Sequence, residues 1–208
     1  MSAFNYDRPQ EGEKMVERRK FQKKEFYVDC PFWTLEEVAQ NGLIDKTGST
    51  SSVCKERARS AIMGTEQFIP HWFFNYQYYY DFLPRNAKAK ILVIRNEHIV
   101  DDWNGIEHLL GNHGDTMNPS LLPQNNVHDK NSTDLYLSDD SKLALCRTLC
   151  NEIQYYKWIL REALNFMEED VLISLEELKL SCPVEAMSEF CEYPVPDITE
   201  KIAYRKHC

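Results

Sequence analysis

Apolar positions along this chain fall mostly at helical spacing. From Ile99 they recur as Ile99, Trp103, Ile106 and Leu110 on one face, and Gly111 ends the run. A longer stripe (Leu143, Cys146, Leu149, Cys150, Ile153, Tyr156, Leu160 and Leu164) holds one face for about six turns. Ser138-Asp-Asp-Ser141 caps it and supplies acidic residues to its first turn. The stretch Lys90-Ile-Leu-Val-Ile-Arg95 differs: it is short, apolar, rich in β-branched residues and approached through Pro84, which suits a strand covered on both faces. Strand, polar corner and helix make half of a βαβ unit. The pattern therefore predicts an α/β fold, helix-rich with a small parallel sheet, in a single domain over residues 1–208.

The shorter elements have local signals. Thr34-Leu-Glu-Glu37 fits a capping box, with Gly42 closing the helix in the left-handed position, and 44–52 reads as a polar loop. A helix is predicted from Cys54 to Met63. The block from Phe68 to Phe82 is dense in aromatic residues and is expected to be mostly buried. Residues 112–134, polar, asparagine-rich and without period, form a long loop. A second capping box, Ser174-Leu-Glu-Glu177, opens a short helix before Cys182-Pro183, and the tail from Glu192 to Cys208 is irregular. The opening residues Ala3, Phe4 and Tyr6 look like the buried end of an element whose beginning is absent, so the chain reads as truncated at its N-terminus.

Charge narrows the partners. A net charge of -9 offers no field for a nucleic-acid backbone, and the one basic run, Glu17 to Lys24, reads as a solvated helix face. No window carries about 18 uninterrupted apolar residues. Seven cysteines with no paired C-x-x-C pattern argue against a zinc site, and no metal is expected. Cys146 and Cys150, four apart on one helix, read as buried thiols; disulfides among the rest would fit a lumenal location, as would the Asn131-Ser132-Thr133 sequon.

Open parallel sheets bind ligands beyond the carboxyl ends of their strands, which puts Arg95, Asn96, Glu97 and His98 where a site would lie. The catalytic candidates are His71, Glu97 and His98. Against them stands a plainer reading in which Asn96 caps the next helix, Glu97 and His98 sit in its first turn, and His71 is a hydrogen-bonded core imidazole beside Trp72. The chain contains neither G-x-x-x-x-G-K-[ST] nor G-x-G-x-x-G, the turns that cradle phosphates at a helix N-terminus.

Three blocks resemble the sulfotransferase superfamily, in particular its fungal and algal branch related to Golgi carbohydrate sulfotransferases. Met1-Ser-Ala-Phe-Asn-Tyr6 looks like the end of the family's R-D-P-x-x-R-x-x-S-A-F signature. Phe68-Ile-Pro-His-Trp72, then Lys90-Ile-Leu-Val-Ile-Arg-Asn-Glu-His-Ile-Val-Asp-Asp-Trp103 and Leu109-Leu-Gly111, are similar to its strand, V-x-R-x-E-H-L-x-x-D-W helix and L-G turn. Leu137-Ser-Asp-Asp-Ser141 to Cys146, with Ile153 to Asn165, is similar to the helix that follows. The resemblance implies a P-loop NTPase-like fold and sulfuryl transfer from the co-substrate PAPS to an acceptor hydroxyl, on a carbohydrate, by in-line displacement. It makes Ser2 a ligand of the donor's 3′-phosphate. It also implies a Golgi location, with any membrane anchor upstream of Met1. The family's 5′-phosphosulfate loop and the arginine of its 3′-phosphate strand would likewise lie upstream of Ser2, so this chain alone is expected not to complete a catalytic cycle.

Two other readings compete. One is a non-catalytic binding or scaffold protein that has lost the donor site. The other is a helical interaction domain unrelated to sulfotransferases, which explains the long amphipathic helix but neither Ile91–Ile94 nor the Ser2 block.

Overall fold

The computed structural model describes residues 29–30, 32–65, 75–81, 91–112, 117–118 and 136–182. Helix α1 (Leu35–Glu37) runs directly into a π-helical segment (Val38–Ile44). Its start is the predicted capping box: the Glu37 N–H donates to Thr34 Oγ1 at 3.1 Å and the Thr34 N–H donates to the Glu37 carboxylate at 2.9 Å. Helix α2 (Ser52–Ile62) is capped by the Ser51 hydroxyl, which accepts from the Cys54 N–H. Helix α3 (Tyr76–Asp81) follows, then a 3-10 turn (Asn96–His98) leading into α4 (Ile99–Leu109). The predicted long helix is two helices, α5 (Asp139–Thr148) and α6 (Cys150–Glu162), interrupted at Leu149, and α7 (Glu168–Ser181) closes the described chain.

Among the described residues there is no strand and no sheet, which overturns the α/β expectation and with it the P-loop NTPase-like sulfotransferase fold with a small parallel sheet. The reason lies in how Ile91–Ile94 is satisfied. Ile91 makes one isolated parallel bridge, to Ala163, and its carbonyl accepts from the Leu164 N–H at 2.9 Å. Val93 is bonded by a side chain instead of a strand: its N–H donates to Asn165 Oδ1 at 2.9 Å, and Asn165 Nδ2 donates back to its carbonyl at 2.8 Å. A primary amide offers a donor and an acceptor with the spacing of a peptide group, so one asparagine replaces a neighbouring strand. Leu92 and Ile94 point outward, 43% and 40% exposed, so the run is covered on one face only.

Two further local expectations change. Gly42 does not end a helix; it is buried inside the π-helical segment, and Asp45 takes the left-handed conformation at φ 46°. A Cβ on Gly42 would lie 2.3 Å from Ala58 Cβ, so the glycine sets the approach of this segment to α2. Ser174 does not open a helix; it lies within α7, whose first turn is capped by the Asp170 carboxylate accepting from the Met167 N–H at 2.9 Å. The aromatic block is buried only in part: Gln77 and Tyr78 are enclosed, while Tyr76 and Tyr79 are about half exposed, and 68–74 and 82 lie outside the described residues.

Two small cores hold these elements. The first joins Cys30, Phe32, Val38, Ala39, Ala58, Ala61, Ile62 and Leu145; the second joins Cys146, Ile153 and Cys182, with Leu143, Leu149 and Leu178 against it. Each contains a disulfide, Cys30–Cys54 in the first and Cys146–Cys182 in the second. Cys150 is disulfide-bonded too, which corrects the reading of Cys146 and Cys150 as thiols. Cores built on alanine and cysteine bury little apolar area, and covalent links compensate by constraining the unfolded chain.

A polar clasp fastens the π-helical segment to the start of α5. Gln40 Nε2 donates to Ser138 Oγ and Ser141 Oγ, and Glu36 accepts from the Ser138 N–H at 3.0 Å and its hydroxyl at 2.8 Å. Lys46 pairs with Asp140 at the same junction.

Candidate functional site

Helices α3, α5, α6 and α7 and the 3-10 turn converge on a cavity of about 920 Å³. Leu145, Leu149, Ile153 and Leu178 give it an apolar floor, continuous with both cores. Its polar lining comes from Asn75 and Tyr76 at the start of α3, Glu97 in the 3-10 turn, Lys142 on α5, Glu152 and Tyr156 on α6, and Ser174 and Glu177 on α7. Apolar floor with a few convergent polar groups is the usual make-up of a small-molecule site, and the volume lies in the usual range.

The walls are held by groups already committed. The Glu152 carboxylate accepts from the Tyr76 N–H at 2.7 Å and the Gln77 N–H at 3.3 Å, which fixes α3 against α6. The Tyr76 and Tyr156 rings meet there, with centroids 5.7 Å apart and tilted by 36°. Burial pushes the Tyr76 phenol above its ordinary pKa, with the Glu97 and Glu152 carboxylates adding to the effect. Burial does the same to Tyr156; the Ser174 hydroxyl opposes it and Glu97 reinforces it.

Joined to this wall through Ser174 is a buried ion pair. Arg95 and Asp102 are each 5% exposed. The Asp102 carboxylate accepts from Arg95 Nη2 at 2.5 Å, from Nε at 2.9 Å and from the Arg95 backbone N–H at 2.6 Å. Arg95 Nη1 donates to the Asp170 carbonyl and to Ser174 Oγ, both at 3.0 Å, and the guanidinium lies 4.4 Å from the Phe166 ring centroid. Asp102 thereby raises the Arg95 pKa further, against the effect of burial. Arg95 is the bolt between the 3-10 turn, α4 and α7, with its hydrogen-bonding capacity spent on protein groups.

The sequence candidates are distributed as follows. Ser2 and His71 lie outside the described residues. Asn96 makes no side-chain cap, and it forms the 3-10 turn with Glu97 and His98 ahead of α4. Glu97 and His98 part company: Glu97 lines the cavity, while His98 Nε2 bonds the Glu177 carboxylate at 3.0 and 3.1 Å on its edge. Tyr76, Glu152, Tyr156, Ser174 and Glu177 were missed as site residues. Ser174 and Glu177 had a signal, their spacing of three, which puts both on one face of a helix as well as matching a capping box.

Among the described residues no group of three or more His, Cys, Asp or Glu could hold a metal ion, and no helix is long and apolar enough to cross a membrane. No family model, no curated protein and no solved structure matches this chain.

Proposed function

We propose that this chain is a disulfide-stapled helical binding module of an oxidising compartment, which takes up a small molecule with a substantial apolar body. The observation that carries this reading is the 920 Å³ cavity, whose floor is core leucine and isoleucine and whose rim is polar. The compartment follows from the cysteines: all five described ones are in disulfides, a state that reducing cytosol does not sustain. Docking of Ile91–Ile94 by Asn165 also answers one objection to a helical interaction domain, since that run needs no sheet.

The test is a titration with N-phenyl-1-naphthylamine, a neutral dye that fluoresces in apolar surroundings, on chain produced with its disulfides intact. Saturable binding of one dye per chain is expected. A fluorescence response that is absent, or never saturates, would refute a preformed cavity.

A second reading has one observation in its favour. His98 against Glu177 on the cavity edge is a positioned imidazole and carboxylate, and such a pair could take the proton of an acceptor hydroxyl during sulfuryl transfer from PAPS to a carbohydrate. The charge of the site weighs against it, because Glu97, Glu152 and Glu177 face Lys142 as the single cation among the described lining residues. A bisphosphate donor needs the reverse. If the donor product PAP binds, a hundredfold excess over its Kd adds about 2.7 kcal/mol of stability, a clear thermal shift. No shift, and no sulfuryl transfer to carbohydrate acceptors, is the expected result.

A further inference from the structure

The acidic groups on the cavity wall are not equivalent. Glu152 is occupied by the α3 amides and Glu177 by His98. Glu97 makes no hydrogen bond or ion pair among the described residues, yet it lines the cavity. Its field reaches both Tyr76 and Tyr156, since it raises the pKa of each phenol. Those two rings form a tilted pair at 5.7 Å on the same wall. Leu149, Ile153 and Leu178 line the same cavity.

We propose that the cavity selects an organic ammonium ligand, its cationic head against the Tyr76–Tyr156 pair with the Glu97 carboxylate as counter-charge, and its apolar body on the leucine and isoleucine floor. A quaternary ammonium is attracted by the negative face of aromatic rings and offers no hydrogen to donate, so it suits a wall of ring carbon with one uncommitted carboxylate. An anion would meet three carboxylates against one lining cation, Lys142, and a neutral ligand would gain no charge attraction from Glu97. A volume of 920 Å³ exceeds what a head group alone fills, so the ligand is an amphiphile rather than a small cation.

The inference rests on the binding reading above, and the experiment separates the two. Bound N-phenyl-1-naphthylamine is displaced with octyltrimethylammonium, 1-octanol and octanoate, which share a tail and differ in head charge. Octyltrimethylammonium is expected to compete best and octanoate worst. Glu97→Gln should weaken octyltrimethylammonium by about five- to thirtyfold, the range of one counter-charge near an aromatic pair, and leave 1-octanol unchanged. Tyr76→Leu, which keeps apolar contact and removes the ring, should lower the preference for ammonium over alcohol. Equal competition by ammonium and alcohol, or an unchanged preference in Glu97→Gln, would overturn the inference while leaving the cavity reading intact. Failure of the dye to bind would overturn both.

Discussion

Replacing Arg95 with methionine tests whether the Arg95–Asp102 pair is the bolt described above. The substitution keeps most of the side chain's length and apolar stem but removes five donors and a charge. It leaves the Asp102 carboxylate, 5% exposed, with only the Arg95 backbone N–H among the contacts the pair now makes. It also strips the guanidinium partner from Ser174 Oγ and the Asp170 carbonyl. Stranding a buried charge in this way costs about 3–5 kcal/mol. With a urea dependence of about 2 kcal/mol per molar, the unfolding midpoint should fall by roughly 2 M.

The double variant Arg95→Met with Asp102→Asn discriminates between a stranded charge and a loss of packing. The amide still accepts from the residue-95 N–H but carries no charge, so the cost should drop to about 1–2 kcal/mol, that of the hydrogen bonds no longer made. Asp102→Asn alone should cost less than Arg95→Met, because Arg95 keeps Asp170, Ser174 and the Phe166 ring. Midpoints for the wild type and three variants by circular dichroism give the coupling directly. If the double variant loses the sum of the two single losses, the pair is not coupled and the argument fails.

Other perturbations test the remaining supports. Removing the link between α5 and the end of α7 with Cys146→Ala and Cys182→Ala opens a loop of sequence separation 36, and urea unfolding should show a loss of about 3–4 kcal/mol. Gly42→Ala would set a methyl 2.3 Å from Ala58 Cβ; it should cost about 1–3 kcal/mol in thermal or urea unfolding, and Ala58→Gly in the same chain should recover most of it. At Glu36 burial favours the neutral acid, but hydrogen bonds from the Ser138 N–H, Ser138 and Ser141 hydroxyls and Gln40 outweigh it and hold the pKa below the ordinary 4.5. Its contribution is therefore complete above pH 4.5 and lost as pH falls through the lower folded value, so the drop in urea midpoint below pH 4.5 should be shallower in Glu36→Gln. Asn165→Ala removes both bonds to Val93 and should speed hydrogen exchange of the Val93 amide well before global unfolding.

Features set by the nearest few residues were legible. The Thr34–Glu37 box, the Ser138 cap and the end of α4 at Gly111 each depend on a short stretch of chain, and each is found in place. Features decided by distant partners were not. A short apolar run reads as a strand because periodicity cannot reveal that Asn165, 72 positions later, will supply its hydrogen bonds. Gly42 was read through the commonest use of a glycine after a helical stretch, whereas its role depends on Ala58 standing against it. Cys146 paired with Cys182 and not with a neighbour on its own helix, a choice that only the packing of α7 across α5 makes.

The candidate site shows the same division at the scale of four residues. Arg95, Asn96, Glu97 and His98 are consecutive, and sequence reasoning placed them together at the mouth of a site. Arg95 precedes the 3-10 turn in extended backbone, and within the turn successive side chains rotate by about 120°, so Asn96, Glu97 and His98 cannot share a direction. Arg95 is sent inward to Asp102 and α7, His98 sideways to Glu177, and Glu97 to the cavity. Of the polar groups in this stretch, Glu97 alone lines the cavity without a hydrogen bond or ion pair among the described residues. A buried, fully bonded arginine fixes the position of the turn, and the uncommitted carboxylate two residues later inherits that position. The uncommitted charge at this wall is negative, which favours a cation over a phosphorylated donor.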